Sequence, residues 1–176
     1  ARYGHIMFCY FNYLVIFFFF SHNGELLGDL WVYDVVKELW HPVIDNQNLL
    51  ELQTKNVTGI IPKERAYASG IMLKTVGAAY MTGGKNNGGF ACDLWALKVD
   101  KVIQHVEDPD TVSIENFWIK KKFKDEMDVL CRFGHSSAEV TNSSFIIYGG
   151  INPDNSVIGE PLVYDVIPQV LIKLDE

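Results

Sequence analysis

Five histidines, three cysteines and one glycine-rich lysine loop are the residues of this 176-residue chain whose types could do chemistry. A metal site needs His, Cys or carboxylates clustered at ligand spacing. His5, His22, His41, His105 and His135 are scattered, and no Cys pairs with a His. Cys9, Cys92 and Cys131 form no Cys-x-x-Cys, so they read as buried apolar residues of a reducing compartment, not as a disulfide framework. Gly83-Gly84-Lys85, followed by Asn86-Asn87-Gly88-Gly89, would cradle phosphate only with Walker spacing and a following helix; without them it reads as a turn. No catalytic, metal or cofactor constellation can be assembled, and the expectation is a non-catalytic chain.

Charge narrows the classes further. A net charge of −7 argues against nucleic acid, whose footprint is a basic stripe. Lys120-Lys121-Lys122-Phe123-Lys124 is basic, but Asp125-Glu126 and Asp128 follow, so the run reads as a solvated loop. Residues 6–20 are apolar except for Asn12, a run of 15. A membrane span needs about 20 such residues. With no basic leader or cleavage site, the run reads as a buried strand pair of a cytoplasmic protein. The sequons at Asn56-Val57-Thr58 and Asn142-Ser143-Ser144 carry little weight without a secretory signal.

The elements that would position any site come in three copies. Each opens on an Arg, continues into an apolar strand that ends in a glycine doublet, and closes on an acidic-aromatic strand. The third reads Arg132-Phe133-Gly134-His135, Phe145-Ile146-Ile147-Tyr148-Gly149-Gly150, then Glu160-Pro161-Leu162-Val163-Tyr164-Asp165. The first reads Arg2-Tyr3-Gly4-His5, Tyr13-Leu14-Val15-Ile16-Phe17, then Asp29-Leu30-Trp31-Val32-Tyr33-Asp34. The middle copy has Arg65, Ala78-Ala79-Tyr80-Met81-Thr82-Gly83-Gly84 and Asp93-Leu94-Trp95-Ala96-Leu97. Arg and first glycine lie 17 or 18 residues apart in the last two copies; the first keeps the spacing only with Phe19-Phe20 at the doublet. Seven residues beyond Tyr33 stands Trp40, and beyond Tyr164, Leu171. Such periods mean stacked supersecondary units. Short strands rich in Val, Ile, Tyr and Phe are expected in the third copy at 136–140, 144–148, 161–165 and 170–174. Trp31, Tyr33, Trp40 and Trp95 are expected to fill the layers between sheets, and two phenylalanines at the doublet to strain that turn. No helix of useful length is expected; residues 117–127 come closest.

A glycine doublet followed by Tyr, six residues and Trp resembles the kelch repeat, one blade of a β-propeller. The resemblance covers nearly the whole chain and implies an all-β fold, a kelch-type propeller fragment of three four-stranded antiparallel blades. Blade one spans about 1–44, blade two 63–121 and blade three 130–176, with loop insertions at 45–62 and 98–116. Arg2, Gly4, Tyr33, Trp40, Arg65, Gly83, Gly84, Arg132, Gly134, Gly149, Gly150 and Tyr164 are its structural positions. His5 and His135 share one repeat position and read as structural. The resemblance implies binding of a protein partner through face loops, placing His22, Asn23 and Glu25, Lys85, Asn86 and Asn87, and Asn152, Asp154 and Asn155 at the contact. The copper set of kelch-bearing oxidases cannot be assembled. Propellers usually have four to eight blades, so the rest is expected from a longer polypeptide or a second copy. Arg2 to Met7, Asp29 to Asp34 and Pro62 to Ala68 also resemble the kelch half of plant and protozoan Ser/Thr phosphatases. That alternative makes the chain the regulatory domain of a larger enzyme.

Overall fold

The computed structural model describes residues 2–54, 61–123 and 127–174. Strands β1 (Arg2–Tyr3), β2 (Ile6–Tyr10), β3 (Tyr13–Ser21), β4 (Leu26–Asp34) and β5 (Leu39–Ile44) form a first antiparallel sheet in the order β1-β3-β4-β5, with β2 also paired to β3. Helix α1 (Asn46–Thr54) follows. Strands β6 (Ser69–Leu73) and β7 (Ala78–Thr82), a small hairpin of β8 (Lys85–Asn86) and β9 (Gly89–Phe90), strand β10 (Leu94–Lys98), helix α2 (Val99–Glu107) and strand β11 (Trp118–Lys120) come next; the second sheet runs β11-β10-β7-β6. The third is β12 (Ser136–Thr141), β13 (Ser144–Tyr148), β14 (Leu162–Asp165) and β15 (Val170–Lys173), in that order. All-β architecture and the four strands of the third copy match expectation to within a residue or so.

Register explains the repeat. Tyr33 lies opposite Trp40 in the β4/β5 pair, and Tyr164 opposite Leu171 in β14/β15, so the six-residue interval is one hairpin that sets the tyrosine against its own cross-strand apolar partner. The apolar run 6–20 is a strand pair, β2 and β3, turned at Phe11, whose φ of +51° is unusual for a side-chain-bearing residue. The second sheet is covered on both sides, so β7 is buried at every position and its apolar run shows no alternation. Met72, Ala79, Met81, Trp95, Leu97 and Trp118 pack with Val15, Phe17, Leu30 and Val32 of the first sheet. Leu73, Ala78, Tyr80, Leu94 and Ala96 pack with Phe145, Ile147, Leu162 and Tyr164 of the third.

Four expectations are corrected. Both insertions hold a helix. In α2, Val99, Val102, Ile103 and Val106 form one apolar stripe against the core. At α1, Asp45 accepts the N–H groups of Gln47 and Asn48 at 2.9 Å, while Asn48 accepts the Asp45 N–H at 2.8 Å, a reciprocal cap. Residues 117–127 contain β11 and the start of a 3-10 turn at Met127–Leu130, while 124–126 lie outside the described residues. Second, Cys92 and Cys131 form a disulfide across 39 residues, and only Cys9 is a free thiol. Tertiary contact joins them, because the Gly84 N–H donates to the Arg132 carbonyl at 2.8 Å beside both cysteines. Third, Trp95 is buried, but Trp31 and Tyr33 are half-buried and Trp40 is 48% exposed, because among the described residues no further sheet lies over that side of the first one. Fourth, Phe19-Phe20 make no tight turn: β3 runs through them to Ser21, absorbing the mismatch as a register shift between Phe17 and Phe19. The sequon at Asn56 lies outside the described residues; Asn142 sits in the turn between β12 and β13. No described helix is long and apolar enough to cross a membrane.

Candidate partner-binding face

The arginines that open the copies hold the doublets in place. Arg65 is buried; its Nη1 donates to the Gly83 carbonyl at 3.1 Å and its Nε to the Lys63 carbonyl at 3.1 Å. Its fork closes on Asp93 with contacts of 2.5 and 3.3 Å, the bidentate geometry that makes Arg–carboxylate pairs strong. Asp93 also accepts the indole N–H of Trp95 at 2.8 Å. Burial pushes the Asp93 pKa up, but the Arg65 hydrogen bonds and charge, helped by Trp95 and Lys120, leave it below the usual carboxylate range. Arg132 repeats part of this: Nη1 donates to the Gly149 carbonyl at 3.2 Å and Nε to the Val129 carbonyl at 3.0 Å. The 17- and 18-residue spacings are thus the span of one hydrogen bond. The Arg2 side chain lies outside the described residues.

After each arginine the chain passes through a left-handed residue: Gly4 (φ +72°), Tyr67 (φ +58°) and Gly134 (φ +68°). These turns are bonded in series, the Tyr67 N–H donating to the Gly4 carbonyl at 3.4 Å and the Gly134 N–H to the Tyr67 carbonyl at 2.9 Å. The serial turns set aromatic rings side by side along one surface. Ring centroids step from Tyr3 to Phe20 (5.2 Å), Tyr67 (5.7 Å), Phe133 (6.3 Å) and Phe90 (5.5 Å). Lys85 Nζ lies 4.9 Å from the Phe133 ring centre and 5.6 Å from that of Phe90, within cation–π range. Tyr3 is 48% and Tyr67 42% exposed. Phe20 joins because β3 does not turn at the doublet: Tyr3 and Phe20 are register partners in β1/β3. Beneath the strip, His135 is buried; burial and the nearby Arg132 charge push its pKa down to about 4, so it is neutral at pH 7.

A continuous row of half-exposed rings on a hydrogen-bonded backbone offers large contact area at little conformational cost. Of the loop residues expected at a contact, Lys85 lies beside these rings. Ser21 Oγ takes the N–H groups of Asn23 and Glu25, each at 3.2 Å, in the turn that also holds His22. Asn86 Oδ1 accepts the Gly88 N–H at 2.8 Å around Asn87, and Asn152 Oδ1 accepts those of Asp154 and Ser156 at 3.1 and 2.9 Å around Asn155. Ser21, Asn86 and Asn152 thus close these turns with their side chains, and no described hydrogen bond or ion pair joins the three loops. Tyr3, Phe20, Tyr67, Phe90 and Phe133 were missed; the signal available was the aromatic that follows Arg2 and Arg132. Among the described residues no three His, Cys, Asp or Glu are placed to hold a metal. Comparison with known proteins finds no matching family model and no curated protein of significant similarity.

Proposed function

We propose that this chain is a run of three kelch-type propeller blades that works as a protein–protein interaction module, with the strip Tyr3–Phe20–Tyr67–Phe133–Phe90 and Lys85 as its contact surface. The observation that carries the reading is the strip itself. Five rings contributed from distant parts of the chain are aligned by turns bonded in series and left half open to solvent. Exposed aromatics and a neighbouring cation are the residues from which interface hot spots are built. The blade reading is supported by the recurring Arg-to-doublet hydrogen bond and by sheets stacked in chain order. The Cys92–Cys131 disulfide favours an oxidising environment over the reducing one expected.

The test uses wild type, a strip variant and a control as baits under equal conditions. Tyr3→Ala with Tyr67→Gly removes two rings, and glycine suits the left-handed backbone at 67. A partner of this surface should bind the variant at least about tenfold more weakly, the loss expected for hot-spot truncation. The control, Val170→Ser on the far edge of the third sheet, should bind normally. Equal binding to wild type and strip variant would sink the reading.

A further inference from the structure

Asn12 and Asn142 each stand ten residues after the arginine that opens their copy, in the hairpin turns β2/β3 and β12/β13. The two are used differently. Asn12 Nδ2 donates to Asp34 Oδ1 at 3.2 Å. Asn142 is exposed, and among the described residues its side chain has no hydrogen-bond partner. Its neighbours hold the turn instead: Thr141 Oγ1 and Ser144 Oγ share a hydrogen bond of 2.7 Å, and the Ser143 N–H donates to Thr141 Oγ1 at 3.2 Å. The Asn142 amide is therefore spare, and Asn142-Ser143-Ser144 is the one Asn-x-Ser/Thr sequence within the described residues. An independent observation concerns the compartment. The Cys92–Cys131 disulfide ties the second copy to the start of the third. Such bonds persist in secreted and lumenal proteins, the same setting in which Asn-x-Ser/Thr is an acceptor of sugar.

We propose that Asn142 is an N-glycosylation site. The donor required is an oligosaccharide carried on a polyprenyl diphosphate. Asn142 Nδ2 bonds to C1 of the first sugar, the C1–O bond to phosphate breaks, the lipid diphosphate leaves and one amide proton is released. In the folded hairpin Ser144 is 6% exposed and its hydroxyl is engaged by Thr141. Transfer therefore belongs to the chain before β12 and β13 pair, and the fold has only to carry the product. A bulky, hydrated group is tolerated where the side chain that bears it faces water. The hairpin also keeps that group away from the aromatic strip. Phe133 and the Gly149-Gly150 doublet lie at one end of it and Asn142 at the other, separated by the six residues of β12, a span of about 20 Å. The site thus does not rest on the protein-binding reading, and it leaves that surface open.

The test uses the protein isolated without reductant from the cells that make it. Peptide N-glycosidase in heavy-oxygen water cuts the sugar–asparagine bond and leaves a labelled aspartate, which peptide mass spectrometry locates; spontaneous deamidation before treatment carries no label. The label should appear at position 142, and the treated protein should run faster on a denaturing gel. Asn142→Gln made in the same cells should lose the whole of that shift, running untreated where treated wild type runs. Its exposed, unbonded side chain makes loss of the fold no explanation for the result. Unlabelled asparagine at 142 in material whose Cys92–Cys131 bridge is intact would overturn the site itself. Unlabelled asparagine together with free thiols at Cys92 and Cys131 would overturn it by removing the compartment. Label at Asn56 alone would overturn it as well. Each of these failures leaves the aromatic strip, which is read by the Tyr3/Tyr67 variant, untouched.

Discussion

Gly83 and Gly149 occupy the same repeat position, with φ of +64° and +77°, but differ in what lies next to them. A Cβ at Gly83 would run into the Arg132 carbonyl and reach 2.7 Å from His135 Cε1. A Cβ at Gly149 meets nothing within 4 Å. Alanine at either site adopts a left-handed backbone, at about 1–2 kcal/mol, partly offset by about 0.4–1 kcal/mol from the stiffer unfolded chain. Gly149→Ala should therefore cost about 1 kcal/mol. At Gly83 the obstruction is backbone, fixed by the Gly84 N–H bond to the Arg132 carbonyl, and cannot rotate away. Forced overpacking adds about 1–3 kcal/mol, for a total of about 2–4 kcal/mol. Urea unfolding of both variants at one pH, read by tryptophan fluorescence, measures the difference. Equal losses would refute the argument, because they would mean that the opening of the third copy does not press on the second copy's doublet.

Thiol titration in denaturant should find one reactive thiol, Cys9, before reduction and three after it; for a 39-residue span, removing the bridge should cost up to about 4 kcal/mol in a chain-entropy account. Three thiols without reductant would refute the bridge. Asp93→Asn strands a buried Arg65 and should cost about 3 kcal/mol; because the folded Asp93 pKa lies below its unfolded value, the wild-type contribution is present above about pH 4 and lost as pH falls through the lowered folded value. The slope of stability against pH below 4 should shrink in Asp93→Asn, and an unchanged slope would count against the pair. His135 acts at higher pH: neutral in the fold down to about 4 but protonated in the unfolded chain below about 6.5, it should lower stability as pH falls between those values, by about 3 kcal/mol at most. His135→Leu should flatten that window, and an unchanged curve would reassign it.

What was legible in the sequence is what local geometry sets. The Arg-to-doublet interval survives as a repeat because one hydrogen bond spans it, and Tyr33 to Trp40 because a hairpin fixes which residues face each other. The helix α2 was in principle readable from Val99, Val102, Ile103 and Val106, but its polar residues resemble an insertion loop. The disulfide and the aromatic strip were not readable locally. Cys92 meets Cys131, and residues 3, 20, 67, 90 and 133 meet one another, only after sheets have stacked. Among the loop residues expected at the contact, Asn86 and Asn152 use their side chains to close their own turns.

The first sheet carries one more consequence of the repeat. By register, Met7, Cys9, Leu14, Ile16, Trp31, Tyr33 and Trp40 correspond to Gly70, Met72, Ala79, Met81, Trp95, Leu97 and Trp118 of the second sheet. Trp118 is 6% exposed under the first sheet, whereas its counterpart Trp40 is 48% exposed and Met7 53%. The first sheet is thus built with a side meant to be covered, and within the described residues nothing covers it. An apolar patch of this extent drives association in water, and in a solution of the chain alone another copy is what can bury it. Light scattering across a concentration series should therefore show mass rising above 20.0 kDa. Met7→Lys with Trp40→Lys, which places two charges on that side, should return the chain to a monomer while leaving the Tyr3–Phe133 strip intact. A wild type that stays monomeric throughout would mean the open side is tolerated as surface, and the repeat correspondence would lose its force as an argument for a further sheet.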